Sequence, residues 1–157
     1  MSVFPFQMHK YMITWHYYQR KSPKIDNKGE KIVDISTIDD IELETYITEV
    51  MLDIGVPAHL KGYYYLRDAI MMTGRDMDVV SSVTKLMYPV IARRFKTTDQ
   101  KVERAIRNAI EVSWQRGNAN TFAKLFGYSL QEGKNRPTNS EYIARIADKV
   151  RMDIKAM

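Results

Sequence analysis

Glu103, Arg104 and Arg107 stand together on one side of the stretch KVERAIRNAI, while Val102, Ala105, Ile106, Ala109 and Ile110 recur on the other at α-helical spacing. Arginine placed this way has a defined chemistry: its planar guanidinium can donate two hydrogen bonds to O6 and N7 of guanine in a DNA major groove. Glu103 can accept from cytosine N4, or pair along the helix with Arg107 four residues later, and the two roles are compatible. Catalytic chemistry finds no comparable set. The three histidines, His9, His16 and His59, are scattered with no carboxylate at metal-ligand spacing, and the chain has neither a glycine-rich phosphate cradle nor a nucleophile motif. The sequence therefore predicts no enzyme, no cofactor and no metal site.

The elements that must position Glu103 and the two arginines form a pair of helices. Ile91, Ala92 and Phe95 share helical spacing, Thr97 and Thr98 interrupt, and the second helix follows. Ala92 is small where two helices would cross closely, and Val102 begins the stripe that packs back over it. This is the pattern of a helix-turn-helix. It is also the pattern of αα-hairpins whose basic faces are merely solvated, so the local pattern alone leaves both open. Thr97 and Gln100 have the spacing of a capping box for the second helix. That helix can run to Arg116, with Gly117 as a left-handed stop and Trp114 on the apolar side. The first helix falls within residues 81–95, and Pro89 is tolerated there only in a first turn or at a kink.

With 157 residues and 45% hydrophobic content, the chain can bury one core. A net charge of +5 favours an anionic partner, although a mild excess of Lys and Arg also serves solubility. Cysteine is absent, which excludes disulfides, thiol catalysis and Cys-ligated zinc. No apolar run reaches the length of a signal peptide or membrane span, because Lys10, His16 and Gln19 break the N-terminal one; no membrane partner and a cytoplasmic location are expected.

Composition shifts near residue 38. Before it, the aromatic and β-branched run YMITWHYY and the turn-rich QRKSPKIDNKGEK suggest a β-hairpin or a loose arm over residues 1–38. Residues 39–157 read as an all-α domain. Asp39 or Asp40 can cap a first helix with Leu43, Ile47, Val50, Met51 and Ile54 inward, ended by Gly55 and Pro57. A second helix covers residues 62–72, with Leu66 and Ile70 buried and Gly74 closing it, and the run of Tyr63, Tyr64 and Tyr65 is assigned to core and rim rather than to base stacking. A short helix at 120–126 precedes Gly127. A last one starts at Thr138, where Glu141 completes a capping-box spacing, and buries Ile143, Ile146, Ala147, Val150 and Ile154.

The segments IGVPAHLKGYYYLRDAI, VTKLMYPVIARRFKTTDQKVERAIRNAIEVSWQRGN, LFGYSL and RPTNSEYIARIADKV resemble the C-terminal effector domain of the master response regulator of sporulation initiation in endospore-forming bacteria. The resemblance spans residues 44–157. It implies a six-helix, all-α domain whose third and fourth helices form the helix-turn-helix, which binds double-stranded DNA at TGTCGAA-type boxes, activates or represses transcription, and touches the sigma subunit of RNA polymerase near its fifth helix. Glu103, Arg104 and Arg107 match the base-reading positions. His59, Lys61, Gly62, Lys85, Arg93, Arg94 and Arg116 match candidates for DNA-backbone contact, which positions without reading sequence. Thr121, Phe126 and Leu130 match the sigma-contacting region, and Lys155 extends it.

The chain departs from that family in three places. About forty unrelated residues stand where the full-length regulators carry a receiver domain, too few for that fold, so receiver phosphorylation is not expected to control this chain. Lys96 occupies the turn, where a left-handed conformation would cost on the order of a kcal/mol. Asp99 and Gln100 replace small residues at the start of the second helix, where Asp99 could repel phosphate or simply cap. Two function classes follow: a sequence-specific transcription factor, acting as a monomer that pairs on tandem boxes or as a dimer through its arm, and a non-DNA interaction protein that titrates or dimerises with a full-length regulator or the polymerase.

Overall fold

The computed structural model describes residues 27–29, 35–127 and 136–157. Most of the arm or hairpin expected over residues 1–38 lies outside them, as does Leu130. The described part of that region is a turn at 27–29 and a short 3-10 helix, Ile35–Thr37. Everything after it is helical, with no strand among the described residues, so the domain is all-α as its periodicity demanded.

Helix α1, Asp40–Asp53, begins where the Asp39 carboxylate accepts the Glu42 N–H at 2.8 Å, the arrangement expected of an N-cap. Leu43, Ile47, Val50, Met51 and Ile54 are all buried, and Gly55 follows in the left-handed region with φ +74°. Helix α2, Lys61–Arg75, occupies the centre, packed against α1 and against the two long helices introduced below. Tyr63 and Tyr65 are buried and Tyr64 lies at the rim. Gly74 does not close α2, as its position near the end of the stripe suggested. It is buried within the last turn, where a Cβ would sit 3.3 Å from the Ile35 side chain, and its carbonyl accepts from Arg151 at 3.1 Å. Arg75 then ties down the approach to α1, donating to the carbonyls of Ile35 and Ile38 and pairing with Asp40.

Pro89 shapes what comes next. Its ring carries no N–H and crowds the carbonyl four residues back, which disfavours a regular α-helix through residues 81–95 by about 3 kcal/mol. The chain instead runs as a 3-10 segment, Met77–Ser82, and one π turn, Val83–Met87, in which the Tyr88 N–H reaches the Val83 carbonyl five residues behind. Regular α3, Tyr88–Arg94, starts only there, with Pro89 in its first turn.

Helix α4, Asp99–Arg116, buries Val102, Ile106, Ala109, Ile110 and Ser113. It crosses α2 at Gly62, where an added Cβ would lie 1.9 Å from the Ala105 carbonyl oxygen; no side chain fits there without moving one helix off the other. Gly117 ends α4, but not as a left-handed stop: its φ is −70°. Glycine is needed for room, since a Cβ would collide with the Phe122 ring at 2.1 Å. Helix α5, Ala119–Phe126, lays Phe122 and Phe126 against Trp114. Helix α6, Asn139–Lys155, forms the expected capping box between Thr138 and Glu141 and buries its expected stripe together with Tyr142.

One buried polar joint holds these helices in register. The Ser113 hydroxyl donates to the Ile54 carbonyl at 2.7 Å and lies 2.7 Å from the Tyr142 hydroxyl. Burial pushes the Tyr142 phenol well above its usual range, and the Ser113 hydrogen bond only partly opposes it.

Candidate nucleic-acid interface

The turn between α3 and α4 is built from backbone hydrogen bonds. Phe95 N–H reaches the Ile91 carbonyl at 3.0 Å, and Thr97 N–H the Ala92 carbonyl at 2.9 Å. Between them Lys96 takes φ +53°, the left-handed conformation that its position at the turn implied. The cap of α4 differs from the expected one. Thr98, not Thr97, is the N-cap, accepting from the Lys101 N–H at 3.4 Å. Thr97 is already committed to closing the turn, and the residue three beyond Thr98 is a lysine, which cannot return the bond, so no capping box with Gln100 forms. Ala92 and Val102 are both buried at the crossing.

This places Glu103, Arg104 and Arg107 on the side of α4 away from α2. Arg104 and Arg107 are exposed and Glu103 is half-buried. Arg107 and Glu103 form an ion pair across one helical turn, with the Arg107 side chain still 57% exposed. Such exposed i, i+4 pairs contribute only about 0.3–0.5 kcal/mol, so either partner can be drawn away by a stronger ligand.

The other positions are distributed more widely. His59 is exposed in the loop before α2; Lys61 is the first residue of α2, at the positive end of its dipole. Gly62 is buried by its crossing with α4. Lys85 is exposed on the π turn, and Arg93 and Arg94 are exposed at the end of α3, where Arg94 pairs with Asp68 of α2 at 2.5 Å. Arg116 is not brought to the Glu103 end of α4: it sits in the last turn, about 20 Å further along the axis at 1.5 Å per residue. Thr121 is half-buried and Phe126 buried on α5, while Lys155 is exposed at the end of α6.

Two residues beside this face carried no local signal in the sequence. Arg136 donates to the backbone carbonyl of Arg107 at 3.1 Å and pairs with Glu111 at 2.8 Å. Asn139 donates to the Tyr88 hydroxyl at 2.9 Å and approaches the Glu103 carbonyl at 3.4 Å. With Trp114 and Thr84 they border an open cleft of about 630 Å³ along α4. The Tyr88 phenol is raised, chiefly by burial; Asn139 opposes this, Glu103 adds to it and Arg107 reduces it. Sequence spacing could not have found these contacts, because they join positions 25 to 51 residues apart.

A family model described as "Sporulation initiation factor Spo0A C terminal" matches residues 47–150, from within α1 into α6. The chain belongs to this family. The match takes in the whole helix-turn-helix formed by α3 and α4, together with Arg136 and Asn139. The chain is therefore a DNA-binding effector domain of the Spo0A C-terminal type, a sporulation transcription-regulator family rather than an enzyme family. Among the described residues no helix is long and apolar enough to cross a membrane, and no three His, Cys, Asp or Glu side chains converge on a metal position.

Proposed function

We propose that this chain is a sequence-specific transcription regulator that lays α4 in the major groove and reads TGTCGAA-type boxes with Glu103, Arg104 and Arg107. The observation that carries the proposal is the exposed face of α4: two arginines and a carboxylate on the second helix of a helix-turn-helix, in a chain of the Spo0A C-terminal family. His59, Lys61, Lys85, Arg93, Arg94 and Arg116 serve as phosphate contacts that set register, and Gly62, buried under α4, holds the start of α2 and Lys61 beside them. Arg94 exchanges Asp68 for phosphate on binding. Thr121, Leu130 and Lys155 serve as contacts to the sigma subunit of RNA polymerase, whereas Phe126, expected among them, is buried and supports α5 from beneath. The unit acts in the cytoplasm through residues 39–157, as a monomer in free solution that pairs on tandem boxes.

Mobility-shift titrations on duplexes with and without a TGTCGAA-type box, each at two salt concentrations, test this. Salt-sensitive binding that prefers the box is the expected result. Equal, weak binding to both duplexes would reject base reading and leave a protein that acts by contacting a regulator or the polymerase.

A further inference from the structure

The row Glu103, Arg107 and Glu111 runs along α4 at one-turn intervals, and each member is gripped by the segment that leads into α6. Asn139 reaches the carbonyl of Glu103, and Arg136 reaches both the carbonyl of Arg107 and the carboxylate of Glu111. Carbonyls four residues apart stack about 6 Å apart along a helix axis. A single contact would let α4 pivot, whereas two donors at that separation fix both its roll and its position along the axis. The donors are themselves held. Pro137 restricts the backbone between them, and the Thr138 capping box, with the Thr138 N–H donating to Glu141 at 2.8 Å, anchors Asn139 as the first residue of α6. Asn139 also takes the buried Tyr88 hydroxyl, so the same amide bridges α3, α4 and α6.

We infer that Arg136 and Asn139 are positioning residues for DNA reading, setting the roll and depth at which α4 presents Glu103 and Arg107 to the bases. The inference rests on the proposed base-reading role of those side chains. Arg136 holds a carboxylate and a backbone carbonyl at once, where Arg94 holds a single carboxylate, so of the two it is the less free to meet phosphate. A bidentate arginine–guanine pair tolerates little rotation, so a loosened α4 loses discrimination between sequences while its general attraction to the polyanion persists.

The test measures dissociation constants for box and scrambled duplexes over a salt series, with helicity and thermal midpoint recorded for each variant. For Arg136→Gln and Asn139→Ala the box-to-scrambled preference is expected to fall about tenfold, the lower part of what one bidentate contact carries, with an unchanged salt slope. In an Arg107→Ala background the same substitutions are expected to cause a smaller further fall, since only Glu103 and Arg104 remain to be positioned. Asn139→Asp guards against a folding defect. An aspartate suits the first turn of α6 and can accept the Tyr88 hydroxyl proton where the Asn139 amide donates to that oxygen, but it has no proton for the Glu103 carbonyl; unaltered stability with the same loss of preference is expected. A salt slope reduced by about one in Arg136→Gln would make Arg136 a phosphate contact and overturn the inference. So would an unchanged preference in Arg136→Gln and Asn139→Asp while Arg107→Ala loses it. Should Arg107→Ala itself keep full preference, the base-reading proposal fails, and this inference with it.

Discussion

Helix α4 meets α6 at two places made of similar groups in different surroundings. Toward its C-terminal end, Ser113 links the Ile54 carbonyl to the Tyr142 hydroxyl with both side chains fully buried. Nearer its start, Arg136 and Asn139 bond the carbonyls of Arg107 and Glu103 beside an open cleft. Water can replace any partner lost from the second place and none lost from the first. The buried joint therefore governs how stable the domain is, whereas the accessible one governs how α4 is presented, which matters only when something is bound to it.

The sharpest way to break this contrast is Ser113→Ala. It strands the Ile54 carbonyl and the Tyr142 hydroxyl together in a space that held only one oxygen, and each buried orphan costs about 1–3 kcal/mol. A loss of about 3 kcal/mol in urea unfolding is expected, with box preference unchanged in the molecules that remain folded. A loss below about 1 kcal/mol would mean that water reaches the joint, and the contrast drawn from burial would fall.

Arg107→Ala probes the accessible side and is the next largest effect. Loss of a bidentate base contact is expected to weaken box binding by about 1–3 kcal/mol, with far-UV helicity unchanged. Stability should move by no more than about 0.5 kcal/mol, because only an exposed ion pair with Glu103 is removed. Mobility-shift titration beside thermal unfolding separates the two readouts, and a large stability loss would mean that Arg107 supports the fold.

Thr138→Ala falls between the regions, since the capping box belongs to α6 while anchoring the segment that touches α4. Loss of its side-chain bond to the Glu141 N–H, present at 3.2 Å, is expected to cost about 1 kcal/mol of stability by calorimetry. If the first turn of α6 also frays, box preference should fall with it; an intact preference would assign the anchoring to Pro137 instead.

The two joints also differ in how legible they were. Periodicity exposed the apolar stripes of α1, α4 and α6, because each repeats within a single helix, and the outward set Glu103, Arg104 and Arg107 was legible for the same reason. The Thr138–Glu141 box was legible because both partners lie within four residues. Ser113 and Tyr142 were not, since a hydroxyl in a stripe shows its worth only when its distant partners are known. Arg136 and Asn139 had no role assigned to them for the same reason, since their partners lie on other elements. The glycines misled in different ways. Gly74 suggested a helix stop but lies inside the last turn of α2 in tight contact with the Ile35 side chain, whereas Gly117 does end α4, not through a left-handed φ but because the Phe122 ring leaves no room for a Cβ, and closeness of this kind leaves no trace in periodicity. At the α4 cap two adjacent threonines offered the same chemistry, and the backbone bond from Thr97 to Ala92 decided between them.

Lys96→Gly gives the smallest effect and the closest test of what sets the presentation of α4. Lys96 holds φ +53° in the turn, where a Cβ carries a steric penalty on the order of 1 kcal/mol that glycine does not have. Glycine also loses more freedom on folding, which offsets part of the gain, so a net stabilisation of about 0.5 kcal/mol is expected from chemical denaturation. A turn that itself dictated the angle of α4 would transmit this relaxation to the bases and shift the preference between box and scrambled DNA. If Arg136 and Asn139 dictate it, both affinities should fall together with the lost charge and their ratio should hold. A changed ratio in Lys96→Gly, with Arg136 and Asn139 intact, would move control of α4 from the α6 segment to the turn.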